Sequence, residues 1–161
     1  MVYPTLSSMA RKPNLSEKSV QKTSDSTASN QHLRTRRDHA NETAEDYVEA
    51  IAMIQADRGS CRLTDLSKHF LVSHVTVSKI IARLEREGLV ETVPYAPVKL
   101  TSTGEILAKA SRSRHEIVLA FLLALGVQPE TAEVDAEGIE HHVSQETLAC
   151  MRDFTGKKKA P

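Results

Sequence analysis

From Asn41 onward the apolar positions fall into helical and then alternating rhythms that residues 1–40 lack. Ala44, Tyr47, Val48, Ile51 and Gln55, with Ile54 alongside, track one side of a helix that stops before Gly59. Asn41 or Thr43 can cap its start. Arg62-Leu63 reads as a short extended piece, and Thr64 opens a short helix with Leu66 and Phe70 inward. Leu71-Val72-Ser73 makes a turn. Ser73 then caps a second helix to about Glu87, with Val77, Ile80, Ile81 and Leu84 on its apolar side and Gly88 at its end. Two short alternating runs, Leu89–Val93 and Val98–Thr101, flank the turn Pro94-Tyr95-Ala96-Pro97 and predict a β-hairpin. A helix-turn-helix followed at once by a hairpin is the order of a winged helix.

Beyond the hairpin, Ser102 or Thr103 starts a long helix to about Leu125, closed by Gly126. Pro129 sits in the first turn of the next helix, where its missing N–H costs nothing. That helix carries Glu137-Gly138-Ile139-Glu140-His141-His142, with Ala132, Ala136, Ile139 and Val143 on its inward side. Ser144 caps a last helix to about Phe154. The expected fold is therefore mainly α with a small β-hairpin wing. Residues 1–40 form a disordered basic arm, 41–101 a winged helix-turn-helix and 102–156 a helical domain, with 157–161 a flexible tail.

Composition sharpens this outline. The formal net charge of zero hides an asymmetry: residues 1–40 carry +4, residues 60–115 carry +4, and residues 116–153 carry −7. A basic middle suits a polyanion, and an acidic end suits cations or a basic partner; the alternative is that both are solvated faces. No apolar stretch reaches the length needed to span a bilayer, and the N-terminus has no apolar signal region. Only Cys61 and Cys150 occur, without metal-ligand spacing, which fits a reducing cytoplasm.

Double-stranded DNA is the partner the basic middle suggests. The second helix of the pair is the natural reader of a major groove. Ser73, His74, Thr76 and Val77 stand at its N-terminal end, short enough to approach base edges, and Thr76 or Val77 can pack on a thymine methyl. Lys79 and Arg83 can reach phosphates, and Tyr95 and Lys99 on the hairpin can touch the backbone or minor groove. Arg34, Arg36 and Arg37 in the arm either contact phosphate or simply solubilise it.

The acidic end holds the second chemistry. Glu137, Glu140 and His141 fall at i, i+3 and i+4, one face of a helix. Three ligands do not close a site, so other elements must supply more. Asp46 and Glu49 lie opposite the apolar stripe of their own helix, and His115 lies on the long helix. Read alone, the first two are solvated carboxylates and the third a core or interface histidine. Brought together, four carboxylates would repel unless cations joined them, and two divalent cations balance four carboxylates. Oxygen-rich ligands with two imidazoles and no thiolate favour Mn²⁺, with Fe²⁺ as the alternative; ligand type alone leaves Zn²⁺ and Co²⁺ open.

Several segments carry a family likeness: Glu45-Asp46-Tyr47-Val48-Glu49, Val75-Thr76-Val77-Ser78-Lys79, Arg114-His115-Glu116 and Asp135 through Ser144. Over about 70% of its length the chain resembles the manganese-responsive, MntR-type branch of the diphtheria-toxin-repressor family. That resemblance implies a cytoplasmic, homodimeric, metal-dependent repressor acting on a palindromic operator at manganese-uptake genes. It implies that Asp46, Glu49, His115, Glu137, Glu140 and His141 hold two Mn²⁺ per subunit. Iron-responsive relatives carry Met and Cys where this chain has Asp46 and Glu137. The arm lies outside the family core, and the chain's length leaves no room for the SH3-like domain some members carry. Two other readings stand beside it. One is a winged-helix regulator without metal sensing. The other is a carboxylate/His metalloenzyme, against which the absence of paired Glu-x-x-His, His-Glu-x-x-His and Gly-rich phosphate loops weighs.

Overall fold

The computed structural model describes residues 15–158, with side chains from Asp38 to Gly156 and that of Thr35. The chain divides into two units, residues 1–40 and 41–161. Helix α1 spans Leu15–Arg58, so its backbone is helical well before the start expected at Asn41, and neither Asn41 nor Thr43 caps it. No proline or glycine falls between Pro13 and Gly59, so nothing in that stretch forces a break. The rest of the expected arm, and the side chains of Arg34, Arg36 and Arg37, lie outside what is described.

In the second unit, α2 (Leu63–His69) and α3 (His74–Arg86) follow α1. Asp65, not Thr64, ties down the start of α2 by accepting from the Arg62 N–H at 2.9 Å. Ser73 caps α3, its Oγ accepting from the Thr76 N–H at 3.1 Å. Gly88 ends α3 at φ 73°, a value a side chain would strain. The wing is the antiparallel pair β1 (Val90–Glu91) and β2 (Lys99–Leu100), with Val90 opposite Leu100. A bridge from Cys61 to Val98 extends it, and Glu85 of α3 accepts from Thr92 Oγ1 at 2.6 Å. Leu66, Val77, Ile81, Leu84, Val90 and Val98 bury themselves against Val48 and Ile51 of α1.

Helix α4 (Ser102–Leu125) is capped by Thr101, whose Oγ1 accepts from the Gly104 N–H at 3.1 Å. It packs on α5 (Pro129–Ile139) and α6 (Gln145–Lys158) through a small core of Val118, Ala136 and Leu148. The motif helix is shorter than the sequence predicts. It ends at Ile139, and Glu140–His142 form a single 3₁₀ turn before Ser144 caps α6. Glu140 and His141 thus leave the α-helical face of Glu137 and swing with the tighter turn. No described helix is long and apolar enough to cross a membrane.

Candidate metal centre and DNA-facing surface

Helix α1 presents Glu42, Glu45, Asp46 and Glu49 at i, i+3, i+4 and i+7, a carboxylate stripe on one face. The apolar stripe around it fixes its direction: Tyr47, Val48 and Ile51 point into the core, so the carboxylates turn toward α4 and the 3₁₀ turn. There Glu42 Oε1 lies 3.3 Å from His142 Nε2. Glu45 Oε2 lies 2.8 Å from His141 Nδ1 and Asp46 Oδ1 lies 3.1 Å from His141 Nε2. Glu49 Oε1 lies 3.9 Å from Arg112 Nη1.

A second half of the cluster forms around α4 and α5. His115 Nδ1 lies 2.8 Å from Glu140 Oε2 and 3.6 Å from Glu137 Oε1. One ligand atom each from His115, Glu137 and Glu140 fall within 4.8 Å of one another. Glu140 belongs to both halves, because its Oε1 is 3.5 Å from His141 Nε2. Its carboxylate is only 3% exposed, the one buried acid among the described residues. A cavity of about 440 Å³ opens beside it, lined by Asp46, Glu49, His115, Glu137 and Glu140, with Glu133 at its edge.

The electrostatics follow from this crowding. Hydrogen bonds to Asp46 and to Glu45 push the His141 imidazole up to about 10, against the opposing effect of burial. Burial pushes the Glu140 carboxyl up to about 7, although His115 and His141 pull it down. For His115, burial favours the neutral ring, but Glu140 and Glu137 outweigh it and raise its pKa. Burial alone would raise Glu45; the hydrogen bond from His141 and the charge of Arg114 outweigh it and hold the carboxyl below its ordinary value. The carboxylates around His141 thus favour its protonated, positively charged form. A divalent cation fits the same demand, and the donor set of carboxylate oxygens and two imidazoles, without a thiolate, fits a hard or borderline ion.

All six residues singled out from the sequence lie in this region, five of them lining the cavity and His141 flanking Glu140. Glu49 pairs with Arg112 rather than with an imidazole. The sequence reading gave no role to Glu42, Glu45, Arg114 or Glu133. Glu45 and Arg114 adjoin Asp46 and His115 in the chain, and the stripe spacing on α1 would have marked Glu42 and Glu45.

At the start of α3, His74 and Thr76 are exposed, and Lys79 is exposed one turn on. Ser73 Oγ is engaged by Thr76, and also lies 2.9 Å from Thr76 Oγ1. Val77 is completely buried, packed beneath the helix in the core, so it does not reach a thymine methyl. Val75, overlooked in the sequence, is the apolar side chain this end exposes, at 63%. Arg83 Nε lies 3.4 Å from Glu87 Oε1. Lys99 is exposed on the wing, and Tyr95 at its tip is 99% exposed with φ 65°. Arg62 Nη1 donates to the Tyr95 carbonyl at 3.3 Å and steadies that tip.

Comparison with known proteins matches both halves. Residues 39–98 match the N-terminal DNA binding domain of iron dependent repressors, and residues 101–160 match their metal binding and dimerisation domain. The transcriptional regulator MntR of Escherichia coli O6:H1 is 48% identical over 127 residues, covering 79% of this chain and 82% of that protein. The HTH-type transcriptional regulator MntR of Bacillus subtilis strain 168 is 34% identical over 110 residues, covering 68% and 78%. A solved manganese-dependent transcriptional repressor in complex with manganese superposes with a TM-score of 0.64 at 31% identity, over 70% of this chain and 52% of that one. The manganese regulator SloR gives 0.63 at 25% identity, over 70% and 53%. The chain spans about half the length of these two solved structures.

Proposed function

The chain belongs to the MntR group of iron-dependent-repressor-type regulators, metal-dependent DNA-binding proteins responsive to manganese, and from that premise we propose how its own residues couple metal to DNA. In this reading the chain is a cytoplasmic homodimer that represses manganese-uptake genes through a palindromic operator. Asp46, Glu49, His115, Glu137, Glu140 and His141 hold two Mn²⁺ per subunit, Fe²⁺ being the competing ion. When bound, the cations supply charge compensation for the carboxylates and displace the imidazole protons.

The observation that carries the reading is the meeting of Asp46 with His141, 3.1 Å apart. Asp46 belongs to the helix that also forms the core under α2 and α3, whereas His141 belongs to the acidic domain. Side chains that hold the cations therefore bridge the DNA-reading unit and the helical domain. Glu140, within reach of both His115 and His141, would hold metal at the junction of the two halves of the cluster. Without metal the bridge rests on the contact of His141 with Asp46, and the two regions sample more than one orientation. Filling the site selects the orientation in which both α3 helices of a dimer meet successive major grooves. A coupling of roughly 1–3 kcal/mol gives a 5- to 150-fold change in DNA affinity.

On the DNA side, Ser73, His74 and Thr76 approach base edges, Lys79 and Arg83 serve phosphates, and Tyr95 and Lys99 serve the backbone or minor groove. A gel-shift on genomic fragments with Mn²⁺, Fe²⁺, Zn²⁺ and chelator in parallel tests the whole reading. Retarded fragments with Mn²⁺ that disappear on chelation support it. Binding that survives the chelator unchanged refutes metal dependence and favours a winged-helix regulator without metal sensing.

A further inference from the structure

Adjacent residues on a helix point about 100° apart. While Asp46 turns to the cavity, Glu45 turns behind His141; while His115 turns to the cavity, Arg114 turns toward Glu45. The two neighbours meet: Arg114 Nη2 lies 2.6 Å from Glu45 Oε2 in an ion pair. The same Oε2 lies 2.8 Å from His141 Nδ1. The three side chains are well covered, at 17%, 19% and 9% exposed.

The imidazole of His141 is thus divided between two jobs. Its Nδ1–H is committed to Glu45, and its Nε2 faces Asp46 at 3.1 Å and Glu140 at 3.5 Å. A histidine that holds a metal through one ring nitrogen characteristically donates the other ring N–H to a carboxylate, which fixes tautomer and orientation. Glu45 stands in that relation to His141, and Arg114 keeps Glu45 from turning into the cavity. The corresponding contact at His115 is looser: Glu133 Oε2 lies 3.3 Å from its Nε2 and that side chain is 60% exposed.

We propose that Glu45, anchored by Arg114, is a positioning residue of the metal site, holding His141 with Nε2 toward Asp46 and Glu140. The proposal rests on His141 being a ligand, as argued above. It makes α1 contribute a ligand and an orienting carboxylate from consecutive residues, the latter tied to α4 through Arg114.

The test uses the full chain. Histidine-¹⁵N NMR of the metal-free protein reads the His141 Nδ1–H, and competition with a chelating dye reads Mn²⁺ affinity. Glu45→Ala is expected to lose the hydrogen-bonded Nδ1–H resonance and to weaken Mn²⁺ binding by about 10- to 100-fold. Glu45→Gln, whose amide oxygen still accepts that bond, keeps the resonance and recovers most of the affinity. Arg114→Met shifts both readouts in the direction of Glu45→Ala, and carries the test should Glu45→Ala not fold. An unchanged resonance and affinity in Glu45→Ala and Arg114→Met, with only a lowered melting temperature, would make the pair a structural brace and overturn the proposal. Equal losses in Glu45→Gln and Glu45→Ala would overturn it too, because the carboxylate itself would then be a ligand. His141→Ala separates the two layers: unchanged Mn²⁺ binding there removes the ligand assignment itself. Lost binding in His141→Ala beside intact binding in Glu45→Ala removes only the positioning role.

Discussion

Asp46 and His141, distant in the chain, stand with Oδ1 3.1 Å from Nε2, although Asp46 keeps 42% of its side chain exposed. Nothing on α1 itself accounts for that placement, since the core is served by Tyr47, Val48 and Ile51. Asp46→Ala should therefore leave the winged helix folded while lowering Mn²⁺ affinity at least about tenfold, on the scale of losses seen for groups supporting a metal. Glu137→Ala and His115→Ala should likewise abolish metal-dependent operator binding and leave the proposed dimer intact. Mn²⁺ titrations read by operator fluorescence anisotropy check all three; an unchanged metal response in any one removes that residue from the ligand set.

The same cluster sets a pH dependence with a defined sign. His141 is raised from its ordinary value to about 10, and Glu140 is raised to about 7. For each, the folded chain holds its proton more tightly than the unfolded chain does. The His141 contribution to metal-free stability is complete below about 6.5 and fades as pH rises through about 10. The Glu140 contribution fades between about 4.5 and about 7. The metal-free melting temperature should accordingly fall from pH 6 toward pH 9. Metal that takes the His141 Nε2 must displace its proton, so Mn²⁺ affinity should rise about tenfold per pH unit for each proton released. Calorimetry in buffers of different ionisation enthalpy counts those protons; zero release at pH 7.5 contradicts the prediction.

What could be read from the chain was whatever a local signal encodes. Ser73, Gly88, Gly126 and Pro129 mark element ends through caps and fixed φ, and the structure places ends there. The spacing drew attention to Glu137, Glu140 and His141, although the last two stand on a 3₁₀ turn and not on the α-helical face of Glu137; Asp46, Glu49 and His115 were joined to them by the family resemblance. The early start of α1 was not, because Ser/Thr/Lys-rich sequence without Gly or Pro neither compels nor forbids a helix. The 3₁₀ turn at Glu140 was not either, since it is set by how α5 must hand over to α6. Val77 was assigned two incompatible tasks: its stripe with Ile81 and Leu84 already committed it to the core. Glu45 and Arg114 sat inside the family-like segments; the spacing on α1 puts Glu45 on the carboxylate face, but only tertiary packing shows that it meets Arg114 and His141.

Gly104 is where α4 enters the helical domain, and it has no room for a side chain. A Cβ there would run into the Leu89 carbonyl oxygen, backbone that cannot move aside cheaply, and would also press on Leu100 Cδ2. The Leu89 carbonyl is already engaged by the Thr101 N–H at 3.1 Å. Although alanine is the better helix former, Gly104→Ala should destabilise the chain by about 1–3 kcal/mol or more through overpacking. Urea unfolding followed by circular dichroism checks this, and a neutral or stabilising result would show that α4 can lift off the wing freely.

Lys79 and Arg83 were both assigned to phosphate, yet their surroundings differ. Lys79 is exposed on the outer side of α3. Arg83 is covered to 27% exposure and its Nε is 3.4 Å from Glu87 Oε1, so a phosphate must compete with that carboxylate. Lys79→Ala should weaken operator and random-sequence DNA alike and reduce the slope of log affinity against log salt by about 1. Arg83→Ala should do the same to a smaller degree, because part of its charge is already neutralised. A different signature is expected at the start of the helix, where His74 and Thr76 are exposed and are proposed to read base edges. Thr76→Ala should leave the salt slope alone and relax the preference at one base pair by about 1–3 kcal/mol. Anisotropy titrations at several salt concentrations, on the operator and on single-base variants, separate the two. A changed base preference in Lys79→Ala with an unchanged salt slope would make Lys79 a base reader instead.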